Sequence, residues 1–218
     1  KQLSDGFKAE IYEQADDVGG TWYWNRYPGA RCDIESMDYS YSFSEELQQE
    51  WNWKEKYGTQ PELLKYAQFV CEKFNLRNSI NFSTKVIKAN FDTKRQSWLI
   101  TTDRNENIET KNFILATGNL STPNTPNFMG INEFVGNIYH TGAWPKKMPH
   151  FGERKVGIIG TGSSGVQSIP IIAKTAQQLL VFQRTPNFSL PARHRDLPND
   201  RRVEYKKNYK KYRDLAKN

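Results

Sequence analysis

Gly160-Thr161-Gly162-Ser163-Ser164-Gly165 has the spacing Gly-x-Gly-x-x-Gly, and the chemistry open to it is recognition of a dinucleotide pyrophosphate. The first glycine permits a tight turn, the second lets a pyrophosphate approach the backbone, and the third lets a helix pack against a strand. A helix that opens there turns free N–H groups and partial positive charge toward the phosphates. The neighbours supply the context that a chance match lacks. KVGIIG (155–160) reads as a buried strand, SSGVQSIPIIAKTAQQ as a helix kinked at Pro170, and LLVFQ (179–183) as the next strand. Arg184 and Thr185 follow that strand. A guanidinium grips a 2′-phosphate bidentately where a carboxylate would repel it, so this site is expected to prefer NADP(H) over NAD(H).

A second candidate site comes earlier. KAEIYE (8–13) alternates like a strand and ends in Glu13. An acidic residue closing the second strand of a dinucleotide fold accepts hydrogen bonds from ribose hydroxyls, so Glu13 marks a site for a dinucleotide without the extra phosphate, such as FAD. The first strand and its glycine loop should precede it by roughly 20 residues. The chain begins too late to hold them, and is therefore expected to be a fragment cut inside its first nucleotide-binding unit. After Gly19-Gly20 comes TWYWNRYPGARCDIESMDYSYSF, dense in aromatic residues, with Arg31 close to Asp33. Flat apolar walls and a few charges are what an isoalloxazine ring needs. Two nucleotide sites of opposite preference point to a flavoprotein reduced by NADPH.

The elements between these sites must hold them in place. TQPELLKYAQFVCEKF opens with Thr59 and Glu62 at capping-box spacing and has Pro61 in its first turn. Leu63, Tyr66, Ala67, Val70 and Phe74 then recur at helical spacing and read as core. From Ile80 to Leu115 the pattern predicts a three-stranded meander, NFSTKVIKANFD, SWLITTD and ENIETKNFILATG, with turns at DTKRQ and DRNE. Phe113–Leu115 predicts a buried strand stopping at Ala116-Thr117-Gly118, either a plain turn or a place where backbone nears a cofactor. The expected fold class is α/β: two Rossmann-like dinucleotide-binding domains, for FAD and NADP, with a small β-meander insertion, both incomplete. Residues 1–146 would form the FAD-binding domain, with the meander at about 80–115, and 147–218 the first part of the NADP-binding domain with a basic helical tail.

The bulk numbers allow this. The chain has 218 residues, 37% of them hydrophobic and 13% aromatic, enough for one large or two small domains with a core. No segment approaches the ~20 apolar residues of a membrane span. KQLSDGFKAE has no apolar signal core. Cys32 and Cys71 are too few for a disulfide scaffold and lack metal spacing, so a reducing, cytoplasmic setting is expected, with no metal. Much of the net charge of +7 lies in RHRDLPNDRRVEYKKNYKKYRDLAKN. The interspersed acids there predict a solvated helix rather than a nucleic-acid patch. Neither a membrane nor an obligate protein partner is expected.

Taken together these segments resemble the type I Baeyer–Villiger monooxygenases, in particular the bacterial phenylacetone and cyclic-ketone enzymes. The family fingerprint Phe-x-Gly-x-x-x-His-x-x-x-Trp-Pro is matched by Phe134, Gly136, His140, Trp144 and Pro145, and GGTWYWNRYPGARCDIES and GTGSSG match family segments almost letter for letter. The resemblance implies an FAD that is reduced by NADPH, captures O2 as a C4a-peroxyflavin, and inserts oxygen beside a ketone carbonyl to give an ester or lactone. It implies Glu13 at the FAD ribose, and Gly20, Thr21, Trp22, Tyr23, Trp24 and Tyr39 along the flavin. Val86 would meet the adenine through its backbone. Asp33 would tune a catalytic arginine, and Arg31 and Asp33 would face the nicotinamide half. Gly160, Thr161, Gly162, Ser163, Ser164, Gly165, Val166 and Gln167 would wrap the pyrophosphate, with Arg184 and Thr185 at the 2′-phosphate. His140 and Trp144 would form a joint coupling NADP movement to the flavin. Asp33 and His140 are thus the candidate catalytic positions, although a His beside glycine is by itself more often structural. The resemblance also places the catalytic arginine beyond this sequence, so the chain alone is expected to be inactive. A heteroatom (N or S) oxygenase and a non-catalytic NADP(H)-binding fragment are the alternatives. No redox-active cysteine pair follows Gly19-Gly20, which argues against a disulfide reductase.

Overall fold

A computed structural model describes residues 9–120 and 122–216; Lys8, the expected start of the first strand, lies outside them. In chain order the elements are β1 (Ile11–Tyr12), α1 (Thr21–Trp24), α2 (Ser36–Tyr39), α3 (Glu45–Glu50), α4 (Gln60–Lys73), β2 (Ile80–Asn81), β3 (Val86–Asp92), β4 (Ser97–Thr102), β5 (Asn107–Thr110), β6 (Lys155–Ile159), α5 (Ser163–Ile172), β7 (Gln178–Phe182), α6 (Asn199–Lys207) and α7 (Tyr209–Ala216). The fold is α/β, and the chain divides into one unit of residues 1–23 and 67–122 and another of residues 24–66 and 123–218.

In the first unit, β1 and β2 pair in parallel, Ile11 opposite Ile80. The pairing continues past β1, because the Glu13 amide donates to the Asn81 carbonyl at 3.0 Å and the Thr84 amide donates to the Glu13 carbonyl at 2.9 Å. Glu13 is thereby fixed at the mouth of the turn that leads to Gly19-Gly20. The meander forms as the sequence predicts, an antiparallel sheet in the order β3-β4-β5. Asp92 closes its first turn by accepting from the Lys94 and Arg95 amides, as an Asx turn does. The expected strand at Phe113–Leu115 does not form. Ile114 and Leu115 are 74% and 72% exposed. A buried strand needs ladder partners, and among the described residues none pairs with this segment.

In the second unit, β6, α5 and β7 make the expected strand–loop–helix–strand, with β6 and β7 parallel, Val156 opposite Leu179. The helix stops at Ile172 rather than running on through AKTAQQ. Pro170 sits inside the helix, where its missing N–H costs the bond to the Val166 carbonyl; the Ala173 amide still donates to Ile169 at 2.9 Å before the chain turns toward β7. β6 is a strand but not a buried one: Ile159 is 66% exposed, since among the described residues β6 pairs with β7 alone. Residues 24–66 contribute an aromatic core in which Trp53 packs between Trp51 and Tyr66, at 5.6 and 4.9 Å between centroids. The Trp53 indole donates to the Ser40 hydroxyl at 2.7 Å, so this buried polar ring edge is satisfied. Glu62 does not complete a capping box. Its carboxylate accepts from the Lys54 amide at 2.9 Å and ties the segment before α4 to the helix start.

The basic tail is helical, but it is not the solvated helix that its composition predicts. Tyr205 and Tyr209 are buried, the Tyr205 hydroxyl donates to Asp38 at 2.8 Å, and Arg213 donates to the Ser40 carbonyl at 2.5 Å. Tyrosines spaced a turn apart outweigh the surrounding lysines, and Lys206 itself is drawn in, its Nζ donating to the Gln49 carbonyl and to Asn52 Oδ1. Among the described residues no helix is long and apolar enough to cross a membrane, and no cluster of metal-ligating side chains occurs.

Candidate functional site

The loop after β6 is built by its glycines for three different reasons. Gly160 has φ +100, a left-handed conformation that disfavours any side chain, and its amide donates to the Phe182 carbonyl at 2.9 Å. At Gly165 a Cβ would meet the Gly160 carbonyl oxygen at 2.5 Å, so helix α5 could not close onto β6 with a larger residue. Gly162 is unlike both. Its φ is −68 and a Cβ there would have nothing within 4 Å. No part of the described protein requires glycine at 162; the empty space is where a ligand would approach. The first helical bond runs from the Val166 amide to the Gly162 carbonyl at 2.9 Å. The amides of residues 163–165 precede it and have no intrahelical acceptor, which makes this helix start a ready phosphate site.

A cavity of about 470 Å³ opens on this loop, floored by Gly160, Thr161 and Gly162 and bounded by Arg184, Thr185 and Asn187. That volume suits a small-molecule site. Pro126 and Phe128 add an apolar wall. The Thr161 hydroxyl accepts from Gln183 Nε2 at 2.8 Å and from Asn187 Nδ2 at 3.1 Å, and so keeps its own proton free to donate. The sequence reading places Arg184 and Thr185 here but misses Gln183, Asn187, Pro126 and Phe128. The two amides stand beside Arg184-Thr185 in the chain and could have been found by proximity. Pro126 and Phe128 come from a distant loop, and nothing local marks them.

Gln167 does not turn its side chain to this cavity. Its Oε1 accepts from the Tyr27 hydroxyl at 2.9 Å and the Arg31 amide at 3.2 Å; its Nε2 donates to the Arg31 carbonyl at 3.0 Å and to Asp33 Oδ1 at 3.2 Å. The loop at 27–33 takes its whole carboxamide, so any part of Gln167 in wrapping a pyrophosphate falls to its backbone. The same contacts bring Arg31 and Asp33 to the helix that follows the glycine loop. Glu55 faces Arg31 at 3.8 Å and His194 at 2.9 Å. It lies on the 54–56 segment, which pairs with 195–197 through the Lys56 and Leu197 amides.

His140 is engaged at both ring nitrogens. Nδ1 accepts from the Gly142 amide at 3.1 Å, and Nε2 lies 3.2 Å from the Asn124 carbonyl. An Nδ1 that accepts goes with an Nε2 that faces the Asn124 carbonyl as a donor. Both contacts are to backbone groups, so the ring ties residues 124, 140 and 142 together. Trp144 is 9% exposed and packs near Tyr139 and Phe151, while its indole N–H is buried without a hydrogen-bond partner among the described residues.

In the first unit, Glu13 Oε1 accepts from the Ala15 amide at 2.8 Å. Gly19 and Gly20 have φ +127 and +49, and a Cβ at Gly20 would have nothing within 4 Å. They start α1, whose Trp22 and Tyr23 amides donate back to the Gly19 and Gly20 carbonyls. Tyr23 is buried with its hydroxyl on Asp16. Val86 opens β3 opposite Thr102, with a bulge before Lys88. In the second unit Trp24 and Tyr39 remain partly exposed.

Residues 32–196 match the family model of the pyridine nucleotide-disulphide oxidoreductases. A Baeyer-Villiger monooxygenase of Pseudooceanicola batsensis is 43% identical over 213 residues, which cover 98% of this chain and 39% of that protein. A phenazine N-monooxygenase of Lysobacter antibioticus is 42% identical over 213 residues, again 98% of this chain and 39% of the relative. Among solved structures, an oxidized steroid monooxygenase bound to NADP superimposes with a TM-score of 0.90 at 52% identity, covering 96% of this chain and 40% of that one. The chain spans about two fifths of the length of the relatives it matches.

Proposed function

The chain belongs to the pyridine nucleotide-disulphide oxidoreductase family, and from that premise we propose that it is the FAD- and NADP(H)-binding part of a flavin monooxygenase that uses NADPH and O2 to convert ketones into esters or lactones. The observation that carries this reading is the cavity where a glycine loop with room at Gly162 meets Arg184 and Thr185. A site for NAD(H) would place a carboxylate where Arg184 stands. The family name extends to disulphide chemistry, but this chain is poorly suited to it. Burial pushes the Cys32 thiol up and, separately, the Cys71 thiol up, whereas exchange needs a thiolate.

When bound, reduced FAD supplies the activation of oxygen. This chain's residues bind and orient. Glu13 holds the FAD ribose through the carboxylate oxygen that the Ala15 amide leaves free. Gly20 lets the flavin near the backbone; Thr21, Trp22, Tyr23, Trp24 and Tyr39 line it, and Val86 meets the adenine. The amides of 163–165 and the Thr161 hydroxyl hold the NADP(H) pyrophosphate, and Arg184 and Thr185 hold its 2′-phosphate. Arg31 and Asp33 face the nicotinamide half. His140 and Trp144 act as a joint between cofactor regions. In this scheme residues 1–146 serve FAD and 147–218 serve NADP(H), in a reducing, cytoplasmic setting.

A heteroatom oxygenase is the second reading, favoured by the near-equal identity to an N-oxygenating relative. The test is NADPH turnover by the full-length protein with ketones, amines and sulfides, products identified by mass. Esters or lactones are expected. N-oxides or sulfoxides alone would establish the second reading, and hydrogen peroxide alone would overturn both.

A further inference from the structure

Gln167 lies one turn into α5, at the far end of the turn whose start forms the phosphate loop. A primary amide has two N–H donors and an oxygen with two lone pairs. All are used on 27–33: the Tyr27 hydroxyl and the Arg31 amide donate to Oε1, and Nε2 donates to the Arg31 carbonyl and Asp33 Oδ1. Both backbone groups of Arg31 are thus read by one side chain, as a neighbouring strand would read them. Only a side chain with an acceptor and a donor side by side can do this. The loop is also pressed against the helix at Gly29, where φ is +79 and a Cβ would lie 2.3 Å from the Gln167 carbonyl oxygen. The phosphate-facing turn and the loop carrying two opposite charges are therefore one mechanical piece.

Resting on the reading of Gly160–Gly165 as the NADP(H) pyrophosphate site, we propose that Gln167 is a positioning residue that makes the placement of Arg31 and Asp33 depend on nucleotide occupancy. Nucleotide phosphates order the first turn of α5, and the carboxamide carries that order to 27–33. Gln167→Leu removes every one of these hydrogen bonds at similar volume. Gln167→Glu keeps the acceptor but sets a second carboxylate against Asp33 and the Arg31 carbonyl.

The test is hydrogen exchange by mass spectrometry on the full-length protein, with and without NADP+, for wild type and both variants. In the wild type NADP+ is expected to protect both 160–167 and 27–33. In each variant it should still protect 160–167, while 27–33 exchanges about fivefold faster, the scale of one ordinary hydrogen bond, and gains less protection from NADP+ than in the wild type. Undiminished NADP+-dependent protection of 27–33 in either folded variant would overturn the proposal. Protection of 160–167 alone in the wild type would overturn it too, leaving the nucleotide reading intact. No protection of either segment would overturn that reading and the proposal with it.

Discussion

At the scale of single residues, glycine identity separates folding from binding. Gly165 is demanded by the protein, since its Cβ would meet a carbonyl oxygen of the same loop at 2.5 Å. Gly162 is demanded by nothing in the described protein. The two alanine substitutions should therefore fail differently. Gly165→Ala should cost about 1–3 kcal/mol of stability through overpacking, seen as a lowered urea midpoint. Gly162→Ala should leave that midpoint unchanged and weaken NADP+ by about tenfold or more, as a methyl group intrudes on the bound phosphates. Equal midpoints and equal NADP+ affinities for both variants would separate this loop from nucleotide binding.

At the scale of elements, Asp17 anchors the turn that carries Gly19-Gly20. Burial pushes its pKa up, but hydrogen bonds from Gln68 Nε2 at 2.7 Å, the Val18 amide at 2.7 Å and Arg77 at 2.9 Å outweigh burial and hold it below the usual carboxylate value. A group whose pKa falls on folding stabilises the folded state above its unfolded value, and that contribution is lost as pH drops through the lower folded one. Stability should then decline between about pH 4 and lower values, and Asp17→Asn should flatten the decline. Urea midpoints at about pH 7 and about pH 3 measure it; an unchanged slope in the variant would remove Asp17 from the account. The elements themselves were largely legible in the sequence. β6, α5, β7, α4 and the meander each announce themselves by local periodicity and turn residues. The strand at Phe113–Leu115 did not follow, because an apolar run cannot reveal whether a partner lies beside it. The buried face of α6 and α7 was hidden by lysines that outnumber its tyrosines. The Gln167 clamp was invisible for another reason: it joins residues 27–33 to α5, and no local pattern encodes a contact so distant along the chain.

At the scale of the whole molecule, the candidate cofactor residues fall in both units of a chain that spans about two fifths of its relatives. The candidate site was legible where spacing carries it, at Gly160–Gly165 and Arg184, and less so where shape does, at Pro126 and Phe128. An Arg184 guanidinium at the 2′-phosphate would make the site selective for the phosphorylated nucleotide. The measurement that tests it most directly is the dissociation constants of NADP+ and NAD+ for the full-length protein and its Arg184→Ala variant. A charge-assisted, bidentate phosphate contact predicts NADP+ binding about 100-fold tighter than NAD+, with the variant losing about 30-fold for NADP+ and less than about threefold for NAD+. Equal affinity for the two nucleotides, or an equal loss of both in Arg184→Ala, would contradict it.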